Sequence, residues 1–448
     1  MPHIRRLDHQ LDLLALHEAD AARYPFLLQS VAHGPRQARF DILFAFPSET
    51  LRLDPDRGLT GPHAESADSD FLQTLDAWWQ SETAACDAQY DLPFRGGWFV
   101  YLGYELAAQI EPSLALPPVD DGLPTAFATR VRAAVMVDHE TSEAFLLAEE
   151  AGDLDVLQQD CESLSCAAST PPLAIVKLQE DDPQRYLDGV RRVKHYIVDG
   201  DVFQVNLSRA WRGRLAKGQP PSVIYRRLRE QNPAPFAGLA VFEGAAVISS
   251  SPERLVRVSG REVETRPIAG TRPRTVDAAR DAALQAELLA HPKERAEHIM
   301  LIDLERNDLG RVCEPGTVRV DELMVLESYA HVHHIVSNVR GRLRRGVTPG
   351  QVISAVFPGG TITGCPKVRC MEIIAELEAE GRGAYTGSMG YLNRDGSMDL
   401  NILIRTITQR GERLSLRAGA GIVADSIPEK ELEETRAKAR GLLLALPE

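Results

Sequence analysis

Two carboxylates and an ammonium group share one face of a helix near the end of this chain. Residues 417–440 read RAGAGIVADSIPEKELEETRAKAR. Leu414 and Leu416 lead into Gly419, Ala420 and Gly421, and a helix then opens with Asp425 or Ser426 as cap and Pro428 in its first turn. At about 100° per residue, Glu431, Glu434 and Lys438 fall together, apart from the apolar stripe of Leu432, Ala439, Leu442, Leu443 and Leu446. A Glu434 to Lys438 pair by itself is a solvated face contributing a few tenths of a kcal/mol. Mg²⁺, in contrast, takes oxygen ligands, usually one or two carboxylates plus water and substrate. Glu297 supplies a further carboxylate. Met300, Leu301 and Leu304 follow it at i+3, i+4 and i+7 on the predicted helix 278–305, so Glu297 leaves from the apolar side. A carboxylate placed there reaches solvent at the helix rim, pairs with an arginine, or recruits a cation.

Four other stretches carry chemistry. In SPER (251–254), Glu253 ends a strand, where burial would make it a general acid and Arg266, Arg272 or Arg274 would keep it ionised. FPGGTITGCPKVR (357–369) joins a Gly-rich turn to a helix begun by Pro366. Its backbone N–H groups, Thr361, Thr363 and Lys367 make an anion cradle, or the glycines serve chain geometry alone. Arg405, inside the strand-like run 399–407, caps that strand or receives a carboxylate through its planar fork, with Tyr391 as a second donor. In YAHVHHIVS, alternation puts His331 and His333 on one face and His334 on the other, and His334 is the one expected to point into a pocket.

These groups need a frame. The 448 residues carry 44% hydrophobic side chains and a net charge of −14, enough for a large core and unsuited to nucleic acid or a membrane surface. No N-terminal signal pattern or long apolar run is present, and six cysteines lack zinc spacing, so reduced thiols in a cytoplasmic protein are expected. No cysteine lies in a glutaminase-type Gly-x-Cys-x-Gly setting. Strands are predicted at 26–30, 40–46, 96–104, 131–137 and 202–207, and helices at 182–200, 278–305 with a break at Pro292, 349–356 and 367–377. The acidic, apolar-poor segment 149–172 reads as a surface connection, disorder being one alternative. Strands followed by helices without strict alternation make the fold class α+β, with an N-terminal region at 1–170 and a catalytic region at 171–448.

Taken together, QVNLSR, NPAPF, SPERL, RPIAGTRPR, DLERNDLGRV, HVHHIVS, FPGGTITGCPKVR, GAYTGSMGYL, ILIRT, AGAGIVADS and EETRAKA cover 182–444 nearly continuously. In that order they resemble the chorismate-utilising enzymes, most closely the aminodeoxychorismate synthase component I branch. The resemblance implies two packed antiparallel β-sheets surrounded by helices, chorismate as substrate, and Mg²⁺ held by Glu297 and Glu434 with Glu431 close by and Lys438 as a neighbouring charge. It places Tyr391 and Arg405 on the enolpyruvyl carboxylate, and Thr363 with the backbone of Gly419, Ala420 and Gly421 along the pocket. Glu253 matches the acid for departure of the ring hydroxyl, with His334 and Thr271 beside it. Gln204 stands where water-using relatives carry a lysine base, and Asn206 faces the same way. A neutral amide cannot deprotonate water, so ammonia from a separate glutaminase subunit is the expected nucleophile. Ala269 stands where the best-known aminodeoxychorismate enzymes carry a nucleophilic lysine and anthranilate synthases carry alanine. YPFLLQS and ARFDI resemble the segment that binds tryptophan in these families, which implies at most a weak or structural tryptophan site near Ser30, an ordinary edge strand being the alternative.

Overall fold

The strand Ala126–Asp138 is buried on both faces along nearly its whole length, as a strand between layers is, and the sheets are joined through it. One edge runs along Phe40–Asp54 for its whole length; the other pairs first with Gly97–Leu102 and then with Glu143–Ala148. One arm continues from Phe40–Asp54 through Phe26–Gln29, Phe236–Phe242, Ala245–Ser251, Thr406–Arg410 and Arg413–Ile422 to Gln204–Leu215. The other continues from Gly97–Leu102 through Ser388–Asn393, Met398–Asn401, Arg254–Ser259 and Glu262–Thr265 to Val332–Arg342. Each of these pairings is antiparallel, and strands from both arms meet over an aromatic core of Phe26, Phe44, Phe99, Phe127 and Met389. Phe26 stacks on Phe99 at 4.1 Å.

Helices cover the outer faces. Pro221–Gln231 and Pro428–Ala445 bury Leu228 and Leu442 against Leu239 and Leu416 of the first arm. Phe71–Glu82, Pro292–Gly310 and Pro349–Val356 close the second, with Leu75, Ile302 and Ile353 in its core. This computed structural model describes residues 2–7, 11–31, 39–84, 91–164, 173–275, 277–328 and 332–446, and of Thr271, Pro273, Lys293 and Val332 only the backbone; Cys86, Cys166 and His331 lie outside them. No helix among them is long and apolar enough to cross a membrane.

The α+β architecture agrees with the expected one, and the predicted break at Pro292 separates Ala278–Ala290 from Pro292–Gly310. Three local expectations need correction. Within 149–172 a helix forms at Ala151–Ser163, because Leu154, Leu157 and Cys161 recur at i, i+3 and i+7 and are buried. The run 399–407 is two strands, Met398–Asn401 and Thr406–Arg410, separated at Arg405, whose φ of 53° lies in the left-handed region. The cap of the last helix falls on Ile427, since the Ser426 hydroxyl instead accepts the Val423 N–H at 3.1 Å.

Candidate active site

The candidate pocket is built on one antiparallel ladder. Gln204–Leu215 pairs with Arg413–Ile422 so that Gly421 faces Asn206 and Gly419 faces Ser208. Alternation sends Ala420 away, into a core with Val205 and Leu207, and leaves the glycines under the amides of Gln204 and Asn206. A Cβ on Gly421 would lie 2.6 Å from Gln204 Nε2. One on Gly419 would lie 2.7 Å from Asn206 Oδ1 and 2.9 Å from the Tyr385 hydroxyl. Glycine is required at 419, where a Cβ would also meet the Leu207 carbonyl at 2.9 Å, whereas at 421 the end of the Gln204 side chain would have to move aside.

Asn206 Nδ2 donates to the Thr361 carbonyl at 3.3 Å, which ties the amides to the Gly-rich turn, and the Thr361 side chain lies near Glu253. Glu253 is 4% exposed at the head of Arg254–Ser259, and the Ile268 N–H donates to its Oε1 at 3.4 Å. Burial pushes its carboxyl up to about 8 and the Glu305 charge adds to that; the Thr361 hydroxyl, the Ile268 N–H and Lys438 pull the other way without prevailing. Of the two sequence alternatives, the acid is the one the geometry supports. Arg266 is paired with Glu322 and Glu327, and Arg272 with Glu287 and Glu294. Buried His334 has Nδ1 3.4 Å from the Gly270 carbonyl and is pushed down to about 4 by burial, with the Arg405 charge contributing, so its imidazole is neutral at pH 7. The Thr271 backbone pairs with His334; its side chain lies outside the described residues. His333, on the opposite face, is enclosed between Ser328 and Asp281.

Arg405 donates to the Lys438 carbonyl, while Lys438 Nζ bonds the Gly419 carbonyl at 3.0 Å and Glu434 at 2.7 Å. Burial pulls the Arg405 guanidinium below its ordinary range, with the Tyr385 and Glu434 charges opposing; arginine stays cationic regardless. Tyr391 is not part of this group. Its ring packs against Phe94 and Phe44 at 6.0 and 6.4 Å and lines a different cavity of about 260 Å³ with Ser30, Arg39, Pro235 and Phe236. Alternation explains the correction, because Tyr391 shares the face of Met389, which is in the aromatic core. Tyr385, which the sequence reading passed over, is buried beside Gly419 and Arg405. Its signal was its place in GAYTG, just before the strand begins. Tyr385→Phe is expected to raise the chorismate KM about 10- to 100-fold, the loss of a hydrogen bond to a charged group, whereas Tyr391→Phe leaves it within about twofold. Equal effects in steady-state assays would contradict this placement.

The Gly-rich turn makes a poorer anion cradle than its composition suggested. Thr363 is fully buried with its hydroxyl turned back to the Gly359 carbonyl at 2.9 Å, and its own carbonyl accepts the Asn206 N–H at 2.9 Å. Lys367 pairs with buried Asp308 at 2.6 Å.

Glu431 and Glu434 stand on Pro428–Ala445, which packs on Arg413–Ile422, and Glu297 stands on Pro292–Gly310, which packs on Val332–Arg342. Glu431 is buried, Glu434 half-exposed and Glu297 partly buried. No three carboxylate, imidazole or thiol groups converge among the described residues. The carboxylate oxygens of Glu297, Glu431 and Glu434 are of the hard type that Mg²⁺ takes, with its remaining ligands drawn from substrate and water.

Comparison with known proteins agrees with this architecture. A family model described as chorismate binding enzyme matches residues 25–444. Anthranilate synthase component 1 of Thermus thermophilus is 41% identical, over 96% of this chain and 93% of the relative, and aminodeoxychorismate synthase component 1 of Bacillus subtilis is 38% identical over the same shares. The crystal structure of anthranilate synthase component I from Streptococcus pneumoniae superposes with a TM-score of 0.80 at 32% identity, covering 91% of this chain and 93% of that one. The chain belongs to the chorismate-binding enzyme family, and it is a chorismate-utilising enzyme by its sequence, its fold and its relatives.

Proposed function

We propose that this enzyme replaces the ring hydroxyl of chorismate with ammonia to give 4-amino-4-deoxychorismate, with the ammonia released by a separate glutaminase subunit. The observation that supports the reading is buried Glu253, whose carboxyl is pushed up by burial so that it acts as an acid, in a pocket where the neutral amides of Gln204 and Asn206 cannot take a proton from water. Ammonia's lone pair forms the new C–N bond as the ring C–O bond breaks. The hydroxyl leaves as water with the Glu253 proton, and the surplus ammonium proton returns to Glu253. Arg405 and Tyr385 hold the enolpyruvyl carboxylate, Lys438 adds positive charge beside Gly419, and neutral His334 lines the leaving-group side. Glu297 and Glu434, with Glu431 on the same helix as Glu434, would hold Mg²⁺, which when bound would neutralise the ring carboxylate. The flanking segments FPGGTITG, HVHHIVS, GSMGYL and ARFDI support the aminodeoxychorismate product, and so does the Bacillus subtilis relative.

A second reading, formation of anthranilate with loss of pyruvate, is favoured by Ala269 and by the Thermus thermophilus relative. Ala269 sits next to Ile268 on the strand that contacts Glu253 and offers only a methyl group where a lysine would form a covalent adduct. Product analysis separates the two readings. With chorismate, Mg²⁺ and ammonium, the expected product is aminodeoxychorismate, turning into p-aminobenzoate only when a lyase is added; anthranilate without lyase would overturn the first reading. Chelation by EDTA in the same assay is expected to abolish turnover and added Mg²⁺ to restore it. Tryptophan, tested against the cavity beside Ser30, is expected to inhibit weakly at most; tight inhibition would favour the anthranilate reading.

A further inference from the structure

Glu105 is a carboxyl group that the chemistry above does not use. It lies in the short helical turn Tyr104–Leu106, just after the strand Gly97–Leu102, and reaches across to the loop that carries Tyr385. Its Oε1 accepts the Arg382 N–H at 2.7 Å and its Oε2 the Gly383 N–H at 3.1 Å. Two successive N–H groups converging on one carboxylate form an anion-binding nest, which needs a left-handed residue, and Gly383 supplies it with a φ of 57°. A side chain is excluded there, because Asp121 Oδ2 occupies the place of the missing Cβ; the Asp121 carboxylate also accepts the Ala384 N–H. Tyr104 completes the grip. Its N–H donates to the Gly383 carbonyl at 2.9 Å, and the Arg382 guanidinium lies 5.0 Å from its ring centre.

What these groups hold is a turn. The Tyr385 N–H closes it on the Arg382 carbonyl at 3.1 Å. The Thr386 N–H ties its far end to the Leu403 carbonyl at 2.8 Å, two residues before Arg405. Glu105 therefore grips the first two residues of a turn whose last is Tyr385. We propose that Glu105 is the positioning residue for Tyr385, fixing the turn 382–385 so that the Tyr385 hydroxyl meets the substrate carboxylate beside Arg405. The role rests on the reading above, in which Tyr385 and Arg405 hold that carboxylate, and Glu105 acts only through the backbone of the turn.

Calorimetry of the whole chain with chorismate and Mg²⁺, without ammonium so that no aminated product forms, tests this. Glu105→Leu, which removes both acceptors, is expected to weaken chorismate binding about tenfold, as for one hydrogen bond lost to a charged group. Glu105→Gln keeps the Oε1 acceptor and should weaken it by no more than about threefold. In a Tyr385→Phe background the leucine variant should cost at most about a further twofold, because residues that act through one contact do not add. A merely structural Glu105 would lower affinity equally in both backgrounds, and that additive result overturns the proposal, as does native affinity in a folded Glu105→Leu protein. If Tyr385→Phe alone binds chorismate like the native chain, the role of Tyr385 falls and that of Glu105 with it; a Tyr385 effect without a Glu105 effect removes only the latter. Circular dichroism checks each fold. Should the leucine variant not fold, Glu105→Asp, which draws the carboxylate back by one methylene, enters the same cycle with the same expectation.

Discussion

Glu253→Gln is expected to lower kcat by about 10²- to 10⁴-fold with fold and chorismate affinity intact. Glutamine keeps the shape and the oxygen that accepts the Ile268 N–H, so the loss isolates the proton. The sign of the pH dependence follows from the environment of the carboxyl. Burial and the neighbouring charge of Glu305 raise it to about 8, against the weaker opposing pull of Thr361, Ile268 and Lys438. At pH 7 the group therefore holds its proton and acts as an acid, and it loses that capacity as pH rises through about 8. Rates corrected for the fraction of free ammonia should fall on the alkaline side in the native enzyme, and the residual rate of the glutamine variant should lack that limb. Glu305, itself buried and raised to about 7, adds to this: the two acids together favour the folded apoprotein fully below the ordinary glutamate value of 4.5, and that contribution is lost progressively as pH rises from there through about 7 to 8. A variant with more than a tenth of native kcat, or an unchanged alkaline limb, would remove Glu253 from the chemistry.

The second large effect is on stability. Arg382→Met is expected to lower the unfolding free energy by about 3–5 kcal/mol, as for one partner removed from a buried ion pair. Arg382 donates to Glu378 at 2.6 and 3.0 Å, to the Asn206 carbonyl at 2.7 Å and to the Ile362 carbonyl at 3.1 Å. Its guanidinium also lies 5.6 Å from the Tyr385 ring centre. Burial works to raise the Glu378 carboxyl, and the Arg382 and Arg417 charges outweigh it and hold the group below its usual range. The variant strands a buried carboxylate and frees the carbonyls that align Asn206 with the Gly-rich turn. By contrast, Arg436→Met, at a surface pair with Glu180 and Glu433, should change stability by no more than about 1 kcal/mol. Urea denaturation of both variants compares them directly, and similar midpoints would mean that the Arg382 cluster contributes nothing special.

The sequence was most informative where periodicity and chemistry coincide. Glu253 at a strand end, the glycines at 419 and 421 and the helix break at Pro292 were all readable, because a turn, a close approach or a proline constrains the backbone locally. Tyr391 misled because a tyrosine's chemistry does not reveal its face. Only the phase of Ser388–Asn393, set by Met389 entering the aromatic core, turns it away from Arg405 and leaves Tyr385 in its place. Lys367 misled for a related reason: its partner Asp308 lies 59 residues away in sequence, and no local pattern announces that pairing. The helix at Ala151–Ser163 was hidden by its acidic composition, although its three buried residues already kept helical spacing.

Strands from before and after residue 170 alternate within the same ladders: Phe26–Gln29 beside Phe236–Phe242, and Gly97–Leu102 beside Ser388–Asn393. The two regions distinguished along the chain are therefore not two foldable objects. Separating them would bare the hydrogen-bonding edges of Phe236–Phe242 and Ser388–Asn393 together with the aromatic core between the arms, and such edges recruit other chains. A bisected gene would then yield pieces that survive only when produced together, each acting as the other's folding template. Insertions that leave both ladders whole would cost the enzyme far less than any truncation of its first 150 or so residues.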